Sequence, residues 1–237
     1  CMRLSRDDIL AHADRVRRSS ATLIQGLFPV HKIDQWNRAF LPLLAEAVER
    51  EKDDPNRGVN RYYVTLPFSG LWADPEIVDN DVVMAIVSEL VGADGVMCQL
   101  ASDTPFQGSH YQAWHRDTQL LFPETGVETP PYQLAVNFPL VDVTEHNGPM
   151  EMASGTHMMS KEEGLDRIQR GEVELEPITM KLGDVMVRDV RGLHRGTPNT
   201  TREPRPMVVI GYSRRWLFRP EVSIQIPRAT FEKLSDR

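Results

Sequence analysis

Apolar residues recur at helical spacing near the start of the chain. Behind Ser5, which can cap a turn holding Asp7 and Asp8, the residues Ile9, Leu10, Ala13 and Val16 share one face. On this pattern residues 5–50 read as helical, with a second helix over about 31–51. The charged stretch Glu51 to Gly58, with Asp54-Pro55-Asn56 inside it, predicts an exposed loop, and Tyr62 to Phe68 reads as extended. Val82, Val83, Ile86, Val87 and Leu90 then form one apolar face over 81–91, closed by Gly92. From residue 95 the texture changes to short apolar runs separated by Gly, Pro, Asn and Asp, the signature of a β-sandwich or barrel. Strands are expected at 96–101, 111–117, 133–140, 149–153, 174–180, 185–190 and 206–213, with a few helical turns near 160–170. The pattern predicts a mainly β fold with flanking helices, in which a helical layer packs on a core of the double-stranded-helix type.

With 237 residues the chain is long enough for one substantial core, so a single domain over 1–237 is expected. Within it, about 1–92 supplies a helical layer and first strand, about 95–215 the β core, and 216–237 a C-terminal extension. A formal net charge of −7 argues against nucleic acid as a partner, because neutralising phosphates needs a net basic face. Arg15, Arg17 and Arg18 read as a solvated helix face. Cys1 and Cys98 are too few for a disulfide framework, and Cys98, inside an apolar run, reads as a buried small hydrophobe. The N-terminus lacks the apolar centre of a signal peptide and no segment approaches the length of a membrane span. The expectation is a cytoplasmic protein with no membrane partner.

Chemistry concentrates in His115-Arg116-Asp117. On a strand, residues two apart share a face about 7 Å apart, so His115 and Asp117 can converge on one ion while Arg116 points away. A third ligand, His194, follows 77 residues later at the end of an expected strand. Two imidazoles and one carboxylate on one face of a metal leave the opposite face open, which suits iron(II) with oxygen and a bidentate organic acid. Alone, His-x-Asp is a common surface pattern. Its context is more specific: Asn147-Gly148-Pro149-Met150-Glu151, then Gly155-Thr156-His157, Gly183-Asp184, His194, Pro198-Asn199-Thr200 and Arg205.

In order and spacing this series resembles the phytanoyl-CoA dioxygenase family, over about residues 60–213. The resemblance implies a helix-flanked double-stranded β-helix (jelly-roll, cupin-like). It implies iron(II) held by His115, Asp117 and His194, and 2-oxoglutarate paired with Arg205, eleven residues after His194. Gln112 and Asn137 correspond to pocket-lining positions that would contact the cosubstrate. Many relatives carry Trp at the position of Asn137 and Ser at that of Gly196, so the pocket wall differs here, and Asn137 reads equally as a cavity or a surface residue. The complete triad implies oxygenation rather than halogenation. The activity implied is oxidation of an unactivated C–H bond of a small-molecule substrate, with O2 as second cosubstrate and succinate and CO2 as products; hydroxylation is the expected outcome. No catalytic residue beyond the metal ligands is required. Two other readings compete: a non-enzymatic binder on the same scaffold, and a cupin-like metal enzyme without 2-oxoglutarate, which leaves Arg205 without a role. Substrate contacts are expected from Arg61-Tyr62-Tyr63, the loop from Phe106 to Gln112, and Arg214-Arg215-Trp216, whereas His12, His31, His110 and His146 read as exposed or loop residues and His157 as structural.

Overall fold

A computed structural model describes residues 3–127, 129–218 and 226–233. The first helix, α1 (Arg6–Ser19), opens on a capping box between Ser5 and Asp8 and buries Ile9, Ala13 and Val16. The expected helical run to residue 50 is interrupted. Ser20 takes a left-handed conformation at φ 74, and the branched residues Thr22 and Ile24 follow in a four-residue strand, β1 (Ala21–Ile24). The second helix, α2 (Val30–Arg50), buries Ile33, Trp36, Phe40, Leu44 and Ala47 along one stripe. After β2 (Arg61–Thr65) come the short α3 (Pro75–Val78) and α4 (Asp81–Val91). Asn80 caps α4, its side chain accepting from the amides of Val82 and Val83, and Gly92 closes it at φ 96.

The β core comprises β3 (Val96–Pro105), β4 (Gln133–Pro139), β5 (Met150–Ala153), β6 (Leu175–Ile178), β7 (Val185–Asp189), β8 (His194–Gly196) and β9 (Met207–Ser213). The helical turns near residue 165 are α5 (Lys161–Gln169), and α6 (Arg228–Phe231) lies in the C-terminal extension, much of which falls outside the described residues. Two antiparallel sheets face each other: a six-stranded one in the order β1-β7-β4-β9-β3-β2 and a three-stranded one in the order β6-β5-β8. This is the rolled, jelly-roll type of sandwich. The region before residue 92 therefore contributes two strands to the large sheet, where one was expected.

Alternation along the large sheet separates two environments. Leu134, Val136 and Phe138 of β4, Val185 and Val187 of β7, and Val208, Ile210 and Tyr212 of β9 belong to the main core, together with the stripes of α1, α2 and α4. There Phe138 meets Phe28 and Trp36 edge-on, at centroid distances of 5.1 and 5.4 Å. The intervening residues turn toward the small sheet. Met186 and Met207 pack with Met152 and Met180, and Ala135 packs with Ala101, Val190 and Val209.

Three expectations are corrected. Residues 111–117 form no strand; they run irregularly beside β8, with His115 and His194 in a single bridge. The amides of Gln112, His115 and Asp117 bond to the carbonyls of Gly196, His194 and Val190, so the register slips at each step and no continuous ladder forms. Cys98 is half-buried, at the irregularity between Met97 and Gln99 where β3 pairs with β9. Strand β3 runs on to Pro105 because β2 pairs with its far end, Arg61 lying opposite Pro105. Among the described residues no helix is long and apolar enough to cross a membrane.

Candidate active site

The irregular segment places the first two residues of the triad and β8 the third. His115 and His194 exchange both backbone hydrogen bonds, at 3.0 and 2.9 Å, and their rings lie 4.4 Å apart. One ligand atom from each of His115, Asp117 and His194 falls within 4.8 Å of the others. The Nδ1 atoms of His115 and His194 sit 2.9 and 3.0 Å from the carbonyls of Ala113 and Gly192. A carbonyl can only accept, so each Nδ1 carries a proton, which leaves Nε2 as the nitrogen available to a metal. Burial, with the Arg188 charge adding to it and Asp117 opposing, brings His194 down to about 3, so the ring is neutral at neutral pH.

Asp117 is the most open of the three, with a third of its side chain exposed on the cavity. Its surroundings push toward a raised pKa by desolvation, but Arg188 first, then His194 and His115, carry the carboxyl well below the usual range. Arg188 Nη2 donates to Asp117 Oδ2 at 2.8 Å, while the other oxygen, Oδ1, faces His194 Nε2 at 3.7 Å. One carboxylate oxygen is thus anchored to the protein and the other turned to the histidines. Two imidazoles that each keep Nδ1 on a carbonyl, with one ionised carboxylate, fit a divalent first-row ion with open positions.

A cavity of about 330 Å³ opens on this triad, and its lining includes Arg205, Gln112 and Asn137. Arg205 is 2% exposed; its Nη2 donates to the Gly148 carbonyl and its Nε has no partner. Burial, reinforced by Arg61 and opposed by Asp103, lowers it to about 10, which leaves it charged at neutral pH. Arg195 and Arg202 are not in the lining. The Arg195 guanidinium pairs with Glu151 at 2.6 Å and lies over the rings of Tyr111 and Trp114.

Gln112 brackets Gly196, its amide donating to the Gly196 carbonyl and its Oε1 accepting from the Gly196 amide at 2.9 Å. Asn137 is buried at 3% exposure rather than surface-facing. Its Oδ1 accepts from Arg188 Nε at 3.1 Å, so part of its polarity is spent within the protein. Where relatives were expected to carry Ser, Gly196 leaves room for the buried Arg61 guanidinium: a Cβ there would meet Arg61 Nη1 and Nη2 at 2.4 Å. Arg61 is held by Asp103 Oδ2 at 2.7 Å and the Thr197 carbonyl at 3.0 Å.

Of the proposed substrate contacts, Arg61, Tyr63 and Gln112 line the cavity. Tyr62 instead packs on Phe106, Arg214 bonds to the carbonyls of Pro131 and Leu90, and Trp216 lies against Tyr132; none of these reaches it. His157 is buried, with Nε2 3.0 Å from the Arg17 carbonyl, a structural bond as expected. Sequence reasoning missed Arg188. Its signal was a charged residue closing the apolar run Val185-Met186-Val187, on the same face as Met186.

A model of the family described as phytanoyl-CoA dioxygenase (PhyH) matches residues 17–207. Among solved structures, AviO1 from Streptomyces viridochromogenes Tue57 is 19% identical, with a TM-score of 0.69 over 92% of this chain and 99% of that one. EvdMO1 is 20% identical at a TM-score of 0.68, covering 87% of this chain, which spans 50% of the length of EvdMO1. The epimerase SnoN, solved in complex with Fe3+, alpha ketoglutarate and nogalamycin RO, is 18% identical at a TM-score of 0.65, covering 89% of this chain and 85% of that one. At such identities the three structures establish the shared fold. The family match takes in His115, Asp117, His194 and Arg205, and the chain belongs to the phytanoyl-CoA dioxygenase family of iron- and 2-oxoglutarate-dependent oxygenases.

Proposed function

We propose that the protein hydroxylates an unactivated C–H bond of a small organic substrate, with iron(II) held by His115, Asp117 and His194 and the distal carboxylate of 2-oxoglutarate paired with Arg205. The observation that carries this reading is one cavity containing both the triad and a buried guanidinium with an unpartnered nitrogen. A dicarboxylate needs a permanent, planar counter-ion at its far end, and guanidinium answers with paired charge-assisted hydrogen bonds. When bound, iron and 2-oxoglutarate together supply the oxidising chemistry, releasing succinate and CO2 as O2 is consumed.

The chain's own residues do the rest. Carbonyls of Ala113 and Gly192 fix the ligand tautomers, Arg188 keeps Asp117 ionised and turned to the histidines, and Gln112 holds Gly196 against the wall. Met150, Met207 and Val209 give the cavity its apolar surface, which favours a substrate whose reacting carbon is hydrocarbon. The reading of a metal enzyme without 2-oxoglutarate is disfavoured by Arg205, which it leaves buried and under-bonded. SnoN is an epimerase on the same fold, so the outcome is decided by substrate placement rather than by the scaffold.

The test is an anaerobic titration with iron(II) and 2-oxoglutarate, followed by a metabolite screen for substrate-coupled succinate release. A visible charge-transfer band requiring both additions is expected. Its absence in the wild-type protein overturns the assignment, and a screen hit whose product is not hydroxylated overturns the reaction type.

A further inference from the structure

The cavity holds more positive charge than its proposed contents neutralise. With Arg116 set aside, since its guanidinium bonds to the carbonyls of Thr156 and Met159, four lining arginines (Arg57, Arg61, Arg188, Arg205) face two carboxylates, Asp103 and Asp117. A divalent ion and the dianionic cosubstrate cancel each other, so the cationic excess persists when both are bound. In a chain with net charge −7 this excess is a local feature and not a background.

Two of the four are already committed: Arg61 to Asp103 and the Thr197 carbonyl, and Arg205 to the cosubstrate in the reading above. Arg188 is not fully used. It is 4% exposed, its Nη2 is taken by Asp117 and its Nε by Asn137, yet its buried Nη1 has no partner. Those two bonds fix the guanidinium plane, so the direction of the remaining donor is set by the fold. Asp117 is also shared with the triad, which leaves the charge on Arg188 incompletely compensated. Arg57, the exposed member, lies over the Tyr63 ring at 4.2 Å, where it can draw an anion inward.

We propose that the substrate carries an oxyanion group, a carboxylate or a phosphate, which enters past Arg57 and seats on Arg188 beside the triad. This inference rests on the iron and 2-oxoglutarate reading. It makes Arg188 a specificity-determining residue: the group it grips fixes which carbon of the substrate faces the metal, and a neutral analogue leaves a buried donor unmet.

Protein loaded anaerobically with iron(II) and saturating 2-oxoglutarate is titrated with acetate, with inorganic phosphate and with acetamide as the neutral control, at constant ionic strength. The readout is displacement of the visible charge-transfer band. At least one anion is expected to shift the band saturably while acetamide does not. A response to acetate alone assigns a carboxylate, and to phosphate alone a phosphoryl group. Arg188→Gln should weaken that anion by about tenfold or more, with partial recovery in Arg188→Lys. Absence of the band in wild type defeats the iron and cosubstrate reading itself. A band that forms but ignores both anions, that responds equally to acetamide, or that is lost to the anion and restored by more 2-oxoglutarate overturns the oxyanion site alone, as does wild-type anion affinity in Arg188→Gln. Should Arg188→Gln lose the band through loosening of Asp117, Arg57→Ala decides, since Arg57 lies over Tyr63 and bonds to none of the triad: several-fold weaker anion binding is expected, and unchanged affinity overturns the proposal.

Discussion

The two faces of strand β4 are equally dry and chemically opposite. Leu134, Val136 and Phe138 are each 0% exposed against the helices, whereas Gln133, Ala135 and Asn137, at 1 to 3%, face the interior of the roll. Polar alternation on a strand usually marks solvent, yet here it marks a cavity. The distinction matters because a buried polar face must be satisfied residue by residue, while an apolar face needs only volume and shape. Asn137, Arg188 and Asp117 meet most of that demand as a chain of side-chain bonds that leaves Arg188 Nη1 over; Phe138 meets its own with two aromatic rings.

The largest effect expected from breaking the comparison lies on the polar face. His194→Ala should abolish iron(II) binding in an anaerobic titration while the far-UV circular dichroism stays that of the wild type, because the core rests on the other face. Asp117→Ala should also lose iron, and in addition lower stability by about 1–3 kcal/mol in chemical denaturation, since Arg188 loses its charged partner. Iron bound at wild-type affinity by either variant removes the triad assignment. Arg205→Ala comes next: an anion losing a buried partner costs about 3–5 kcal/mol, so 2-oxoglutarate affinity measured by calorimetry should fall by at least two orders of magnitude while iron still binds. Arg202→Ala should be near neutral, and the reverse result would misplace the cosubstrate.

On the apolar face, Phe138→Ala should destabilise by about 3–5 kcal/mol in urea unfolding, with 2-oxoglutarate affinity unchanged in the folded protein. A loss of affinity in the folded variant would show that the two faces are not independent. A smaller effect than that of Phe138→Ala is expected at their border with the small sheet. Gly196→Ala drives a methyl group into the Arg61 guanidinium, which should lower stability by about 1–3 kcal/mol and weaken 2-oxoglutarate modestly. Wild-type stability there would mean that Arg61 can move aside freely.

Elements with an uninterrupted pattern were legible in the sequence. The α4 stripe is found at residues 81–91 as expected, and β4, β5, β7 and β9 fall within a residue of their expected ends, because each carries its own alternation. Strand β1 was not legible, since four residues between two amphipathic helices give too short a period to separate them. Residues 111–117 were misread for a different reason: their contacts with 190–196 change register at every bond, and register is a property of two segments together. For the same reason the Arg61 and Gly196 pairing could not be foreseen, although each residue was noticed separately. The convergence of His115, Asp117, His194 and Arg205 on one cavity is what the family resemblance implied, but Arg188, which links Asp117 to Asn137, followed from no motif.

The doubled backbone bond between His115 and His194 makes the spacing of the two imidazoles a property of the polypeptide rather than of any ion. The loss of conformational entropy needed to bring ligands from distant points of the chain together is then met during folding, not on metal uptake. Such a preorganised cage should be as ordered without metal as with it, should admit ions at a rate set by their dehydration, and should impose its own geometry on whichever ion enters.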